Sequence, residues 1–417
     1  MEDKKVEQKP EETKPVEKAH DNKQENAGER FEPKIYKICL TGGPCAGKTT
    51  ASSLLKERLQ DKFILYFLPE LAATTVQSGV VIIPSEFTPD THKVFTEGIM
   101  KMQMEMEDYF KKIASIQKKD VIIVCDRGCI DNLAYCSPEN KERILKETGW
   151  TLEKIRDERY DAVIHLVTAA DGAEKFYTLE NNTARTETPE VARWIDKKTQ
   201  SVWNGHPNMT VISNTEVKSF QHKMDEVYKC ICKVLDVPDH PSFIKKYLLE
   251  GVFDPKNIPA GTEYEIFIEY ITFLPNSKSD EEFWAKKRVS KQTKGETYSY
   301  TRRKFAKNAS EQLELRRTID HRQYEDYMKV ADKGKKAVVK EIIVFIYENQ
   351  TCHIETFEID GKKFSVLRCF VVDLQKVNIP PFVKVIEDIS ENPKYFTANL
   401  ATNPSDAVAD AHEKKAI

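Results

Sequence analysis

Gly42-Gly43-Pro44-Cys45-Ala46-Gly47-Lys48-Thr49 is a complete G-x-x-x-x-G-K-[ST] loop, and what flanks it decides the fold of the first half of the chain. Before it, Ile35 to Thr41 (IYKICLT) is a short apolar run that predicts a buried strand. After it, Ala51, Leu54, Leu55 and Leu59 recur at helical spacing. Strand, loop and helix therefore meet at this point. Backbone N–H groups of the loop, Pro44 excepted, can curl around phosphates, and the start of the helix adds its partial positive charge. Lys48 is placed to reach the outer phosphates, and the Thr49 hydroxyl is a candidate Mg²⁺ ligand. The binding set read from the motif is Gly42, Gly43, Pro44, Cys45, Ala46, Gly47, Lys48, Thr49 and Thr50. It implies a nucleoside triphosphate.

Further along, Phe63 to Leu68, Val121 to Cys125, Ala162 to Val167 and Thr210 to Ser213 are apolar runs alternating with helical stretches. That alternation predicts a parallel sheet covered by helices, an α/β domain. The third run ends in Asp126-Arg127-Gly128, and the carboxyl end of such a strand opens toward the ligand crevice. Asp126 is a candidate metal acid or proton acceptor, with a helix cap as the alternative. Arg127 is read as a phosphate ligand or as the ion-pair partner of the aspartate. Glu70, after the second run, is a candidate acceptor-binding group or a cap. Tyr177 to Ala192 is a polar insertion at the place of a lid, so Arg185 and Arg193 are candidates to stabilise a transferring phosphoryl group. The methionines at 100, 102, 104 and 106 are read as packing.

Composition narrows the classes. The chain has 417 residues, enough for two domains, and its 64 Lys plus Arg nearly balance 67 Asp plus Glu. No global positive field draws it to nucleic acid, so any anion site must be a local cluster. Nine cysteines are scattered without C-x-x-C pairs, which suits a reducing compartment. No apolar run approaches the roughly twenty residues of a spanning helix. The expectation is a soluble cytoplasmic protein. Residues 1–30 are Lys, Glu and Pro with little to bury, and are expected to be a disordered tail.

After a stretch expected to be a helical connector, Met224 to Gly251, strand-period runs follow. They are Thr262 to Phe273, Trp284 to Lys291, Glu296 to Phe305, Gln312 to Ile319, Val338 to Tyr347, Thr351 to Ile359, Phe364 to Leu374 and Phe382 to Ile389. Eight strands predict a barrel. Alternation puts Glu263, Glu265 and Glu269 on one face of the first and Tyr264, Ile266, Ile268 and Tyr270 on the other. Arg288, Arg303, Arg317, Lys340 and Arg368 are candidates to join Glu263 and Glu265 in lining an interior that takes a polyphosphate.

The first half resembles the domain shared by NadR-type ribosylnicotinamide kinases and the TRPL translocation defect family. The resemblance rests on Gly-Gly-Pro-x-Ala-Gly-Lys-Thr, Pro69-Glu70, Asp126-Arg127-Gly128, the arginine-bearing lid and Trp203-Asn204-Gly205-His206-Pro207. The second half is similar to CYTH, or triphosphate-tunnel, barrels. Here the residues are Glu263-x-Glu265, Tyr298-x-Tyr300-x-Arg302-Arg303, Arg316-Arg317 and Lys340. It departs from the tunnel pattern at Phe267, where a lysine is expected, at Lys340-Glu341-Ile342, and at Asp373, which stands alone where a pair of acids is expected. The implied layout is a tail (1–30), a phosphate-loop domain (31–236), a linker (237–260), a CYTH-like α+β antiparallel barrel (261–404) and a flexible tail (405–417). The resemblance implies GTP or ATP with Mg²⁺ in the first domain and a phosphoinositide or related anion in the second. It also implies a role in membrane-protein trafficking, peripheral to membranes. The alternatives are a small-molecule or nucleoside kinase using Asp126, Arg185 and Arg193, with Thr49 and Asp126 on the metal, and a scaffold in a cilium or other assembly with bound nucleotide. No Asn-Lys-x-Asp guanine signature is present: Asn214 is followed by Thr215-Glu216-Val217.

Overall fold

A computed structural model describes residues 32–81, 86, 88–177, 188–235, 242–276, 281–305, 311–371 and 376–415. The expected tail (1–30), Arg185 and Asp373 lie outside these residues.

The first half forms the expected parallel sheet. Strands β1 (Ile35–Gly42), β2 (Ile64–Leu68), β3 (Val121–Asp126), β4 (Ala162–Leu166) and β5 (Met209–Ile212) pair in the order β2-β3-β1-β4-β5. Both faces of the sheet are covered, so its strands are apolar almost throughout. One face packs under α1 (Lys48–Leu59) and α6 (Phe220–Val234), with Leu55, Leu59, Val227 and Ile231 meeting Ile38, Leu40 and Ile164. The other packs under α3 (Pro89–Ala114), α4 (Pro138–Thr148) and the 3-10 turn Cys129–Tyr135; the short α2 (Leu71–Gln77) follows β2, and α5 (Pro189–Val202) follows the lid stretch. Met100 is fully buried there and Met104 and Met106 pack against it, whereas Met102 is exposed. The helix begins cleanly because Thr88 accepts from the Thr91 N–H and proline stands in its first turn.

The second half is an antiparallel barrel, but its closing strand is not one of the eight expected. The order is β10-β9-β8-β7-β11-β12-β13-β6, from β6 (Ser242–Leu249), β7 (Tyr264–Phe273), β8 (Glu281–Ser290), β9 (Glu296–Phe305), β10 (Glu311–Ile319), β11 (Val338–Tyr347), β12 (Gln350–Ile359) and β13 (Lys362–Val371). Strand β6 then returns to β10 through Gln312 opposite Ser242 and Glu311 opposite Phe243, which closes the ring. The short β14 (Val385–Asp388) adds outside the ring on the far end of β6. The stretch read as linker (237–260) therefore carries the strand that closes the barrel. Its sequence, SFIKKYLL, hid because two lysines interrupt the apolar run, and one of them, Lys246, faces the interior, as its partner Arg368 does.

Inside the barrel, alternation separates two layers. At one end Leu248, Ile271, Phe273, Trp284, Phe357 and Phe364 form an apolar layer. It is capped by α8 (Thr397–Thr402) and α9 (Pro404–Lys415), whose Ala407, Val408 and Ala411 are buried in it. The stretch read as a flexible tail (405–417) is thus mostly a packed helix; its small apolar face is masked in the sequence by the acids and lysines between. α7 (His321–Lys329) lies outside on β8 and β9, where Tyr327 stacks on Tyr300 at 5.2 Å. The opposite end of the barrel faces the parallel-sheet half.

Candidate functional site

Two arrangements with cations at their centre stand out, one in each half. The first is the loop between β1 and α1. Gly42 has φ 135°, and a Cβ there would lie 2.0 Å from the Leu166 carbonyl oxygen, so β4 presses the loop into a shape only glycine takes. Lys48 folds back on the loop, donating to the Gly42 carbonyl at 3.2 Å and more weakly to that of Gly43. Burial and the nearby Arg127 lower its pKa. Thr49 and Thr50 open to solvent at the start of α1.

Asp126 stands beside Leu40 in the strand register, two residues before the loop. Its Oδ1 is buried without a hydrogen-bond partner, and burial pushes its carboxyl above the usual range although Lys48 pulls it down. Arg127 has φ 69°, a strained value for a side chain of its size, and gives Nε to Glu70 at 2.8 Å. One of its terminal nitrogens is buried without a partner. Glu70 is thus held by Arg127. An unpartnered carboxylate oxygen and an unpartnered guanidinium nitrogen beside a phosphate loop suit a hydrated Mg²⁺ and phosphate oxygens, since Mg²⁺ is held through one or two carboxylates plus substrate phosphate. Thr49 and Asp126 are the residues that would hold it.

Arg193 does not reach for the loop. It donates to the Ala170 carbonyl at 2.7 Å and to Glu190 at 3.1 Å. One turn further on α5 stands a residue the sequence reading missed. Asp196 is buried and accepts from the Gly43 N–H (2.7 Å) and the Thr168 N–H (3.0 Å), with His165 at 3.2 Å on its other oxygen. An acid in the middle of an amphipathic helix gives no sign in sequence that it will brace a loop 153 residues away. Asn214 is likewise a brace: its amide donates to the Thr168 and Asp171 carbonyls, both at 2.7 Å, and its oxygen accepts from Lys223.

The second arrangement is the cavity of the barrel, about 140 Å³, between the apolar layer and the parallel-sheet half. Glu269, Lys286, Arg288, Glu314, Arg316, His353 and Arg368 line it from the barrel, and His206 to Thr210 with Lys233 from the other half. Strand alternation adds Lys246, Glu282, Arg303, Lys340 and Glu355 to the interior. Among the described barrel residues, seven lysines and arginines thus face four carboxylates, apart from Lys233 of the other half and from Glu265, which Arg156 holds. Lys340 sits 2.6 Å from Glu355 and 3.6 Å from Glu269, and Lys286 is 2.7 Å from Glu269. Arg303 lies between Glu314 (3.2 Å) and Glu282 (3.4 Å). Arg368 is only loosely paired, 3.6 Å from Glu355. Burial opposes it, but Lys340 and Arg368 hold Glu355 down at about 2. The surplus positive charge acts on the lysines: burial and Arg368 push Lys246 down to about 7, and burial and Arg316 push Lys286 down to about 7. The Nε atoms of Arg288, Arg303 and Arg368 and the hydroxyls of Ser299 and Thr351 are buried without hydrogen-bond partners, Arg288 Nε lying 3.8 Å from Glu269.

Of the residues expected to line the interior, Arg288, Arg303, Lys340 and Arg368 do so. Arg317 does not. It stands opposite Tyr300 on the outer face, and Arg316 takes the inner position, because neighbouring residues on a strand face opposite ways. Glu265 is held by Arg156 of the other half, at 3.1 Å through the second nitrogen, and Glu263 is exposed at the rim, its carbonyl accepting from Asn204. Where the tunnel pattern has lysine, Phe267 carries the Arg288 guanidinium 3.6 Å from its ring centre. Lys246 and Lys286 went unread and Arg316 was passed over for Arg317: the first lay in the supposed linker, and the other two stand beside a lysine or arginine neighbour that faces outward.

Residues 37–219 match a family described as an AAA domain. Among solved structures, an inorganic triphosphatase is 17% identical, covering 39% of this chain and 95% of its own, with a TM-score of 0.27. Thymidylate kinase from Ehrlichia chaffeensis is 17% identical, covering 49% of this chain and 100% of its own, with a TM-score of 0.33. No curated protein sequence matches the chain. The chain thus joins a phosphate-loop α/β domain to an antiparallel barrel, and among the described residues no helix is long and apolar enough to cross a membrane.

Proposed function

We propose that this protein is a nucleotide-binding regulatory protein whose barrel holds a compact, multiply phosphorylated anion such as a phosphoinositide headgroup. The observation that carries the reading is the barrel interior, where seven cations of the barrel's own strands converge on four carboxylates and three arginine Nε atoms have no hydrogen-bond partner. An enclosed surplus of that kind is destabilising in the absence of an anion, and phosphate oxygens match guanidinium donors in geometry and charge. Binding rather than hydrolysis of triphosphate is favoured because each interior carboxylate already neutralises a lysine or arginine, and Glu265 is engaged by Arg156. The phosphate loop takes GTP or ATP with Mg²⁺. The cellular role, trafficking of membrane proteins with attachment at a membrane surface, comes from the family resemblance. The test is mass spectrometry of small molecules that co-purify with the full-length protein. A nucleoside triphosphate or diphosphate together with a phosphorylated inositol is expected; neither would contradict the proposal.

A second reading is phosphoryl transfer to a small acceptor, favoured by the buried, unpartnered Oδ1 of Asp126 beside Lys48. Asp126 would accept the acceptor's proton. It predicts that Asp126→Asn removes turnover while leaving nucleotide affinity intact, and a mutant with unchanged turnover contradicts it.

A further inference from the structure

The cavity end that faces the parallel-sheet half is lined by the start of β5, by Cys230, Lys233 and Val234 of α6, and by His206 to Asn208 of the segment Trp203-Asn204-Gly205-His206-Pro207-Asn208, which leaves the end of α5. The segment is fastened to both halves. On its own side the Trp203 indole donates to Asp131 at 2.8 Å, and Asp131 also accepts from the Thr41 hydroxyl and the Gly128 N–H, both at 2.7 Å. On the barrel side Asn204 donates to the carbonyls of Glu263 and Val344, at 3.1 and 3.3 Å. Two interior arginines complete the attachment: Arg288 donates to the Gly205 carbonyl and Arg316 to the Pro207 carbonyl, each at 2.7 Å.

Those carbonyls stand where anionic oxygens would be bound better. An anionic oxygen adds a charge–charge attraction that a neutral carbonyl lacks, and the carbonyls supply no charge to offset the cationic interior. Resting on the proposed reading of the barrel as an anion site, we propose that residues 203–208 form an autoinhibitory plug. Its Gly205 and Pro207 carbonyls occupy Arg288 and Arg316, and a phosphorylated ligand must take both arginines from them to bind fully. The cavity that remains with the plug seated has room for several waters or one small anion, so a larger polyphosphate requires the plug to withdraw.

The backbone carbonyls cannot be deleted, but their hold can be loosened. Gly205 has φ 90°, and a Cβ there would lie 2.8 Å from the Glu265 carboxyl carbon, so Gly205→Ala pushes the segment off the barrel. Asn204→Ala is gentler. It removes two hydrogen bonds to the barrel and leaves Trp203 seated, so it keeps the test usable if Gly205→Ala misfolds. The full-length protein and both variants are titrated with soluble inositol trisphosphate, inorganic triphosphate and vesicles carrying a phosphoinositide. The plug predicts that Asn204→Ala binds the soluble anions about tenfold more tightly, the equivalent of one charged hydrogen bond no longer contested. Tighter binding to vesicles alone would assign the site to a lipid headgroup, and tighter binding to the soluble anions alone to a free phosphate; either supports the plug. Unchanged or weaker affinity in folded Asn204→Ala overturns it, since the segment would then be neutral or part of the site. If neither wild type nor variants bind any of the three probes, the anion-site reading itself fails, and the plug with it.

Discussion

The two cationic sites of this molecule are built in opposite ways. At the phosphate loop a single lysine, a ring of backbone N–H groups and a helix start make the site, and Lys48 rests on nothing stronger than two backbone carbonyls. In the barrel the cations are side chains from several strands, most of them tied to a carboxylate or to the plug. The loop's cation therefore belongs to ligand binding alone, while the barrel's cations hold up the fold as well. Substitutions at the two places should separate on that basis.

The largest separation is expected in stability. Lys340→Met leaves Glu355 and Glu269 short of their buried partner, so it should destabilise the protein by about 3–5 kcal/mol in denaturant unfolding. Lys48→Met should change stability by less than about 1 kcal/mol. Similar losses for both would erase the distinction. In binding the order reverses. Lys48→Ala should weaken Mg²⁺-nucleotide binding by more than about tenfold in calorimetric titration, because a charged hydrogen bond is lost. Nucleotide affinity equal to wild type would remove Lys48 from the site.

pH offers a finer separation. Lys246 and Lys286 have folded-state pKa values of about 7, below the ordinary value near 10.4. The unfolded chain binds more protons than the folded one between those limits, so these lysines make stability rise as pH goes from about 7 to about 10. A bound polyanion holds both lysines charged. Anion binding therefore takes up protons, and its affinity should fall by about tenfold or more from pH 7 to pH 9. A flat profile would show that neither lysine faces the ligand.

The smallest expected effect is communication between the sites. Trp203 anchors the plug to Asp131, which also fixes Thr41 before the phosphate loop and Gly128 after Arg127. A nucleotide that firms this frame should hold the plug in, and saturating nucleotide should weaken anion binding by about fivefold, with the same factor in reverse. Tighter anion binding with nucleotide present would contradict that direction.

What the sequence disclosed divides along the same line. The phosphate loop is local: eight consecutive residues carry their chemistry in their order, so Gly42 to Thr49 and the strand and helix around them were legible. The barrel interior is assembled from eight strands, and its lining depends on register. Arg316 and Arg317 show the difficulty, since both have the right chemistry and one residue of register decides which faces inward. Strand β6 was missed because its lysines read as solvent-facing, although Lys246 belongs inside. A barrel fragment starting at Gly251 would omit that strand and leave the ring open, so the full chain is the object to test. Asp196, the plug and α9 were illegible because each acts on a partner distant in sequence.

The most direct test of two separate anion sites is a paired calorimetric titration of wild type, Lys48→Ala and Arg368→Gln with Mg²⁺-nucleotide and with soluble inositol trisphosphate. Arg368 is suited to this because its ion pair with Glu355 is long, 3.6 Å, and Lys340 holds Glu355 more closely, at 2.6 Å, so its loss should spare the fold. Lys48→Ala should lose the nucleotide and keep the inositol phosphate, and Arg368→Gln should keep the nucleotide and bind the inositol phosphate about tenfold more weakly. Loss of both ligands together in either folded variant, or no saturable binding of inositol trisphosphate by wild type, would contradict the account.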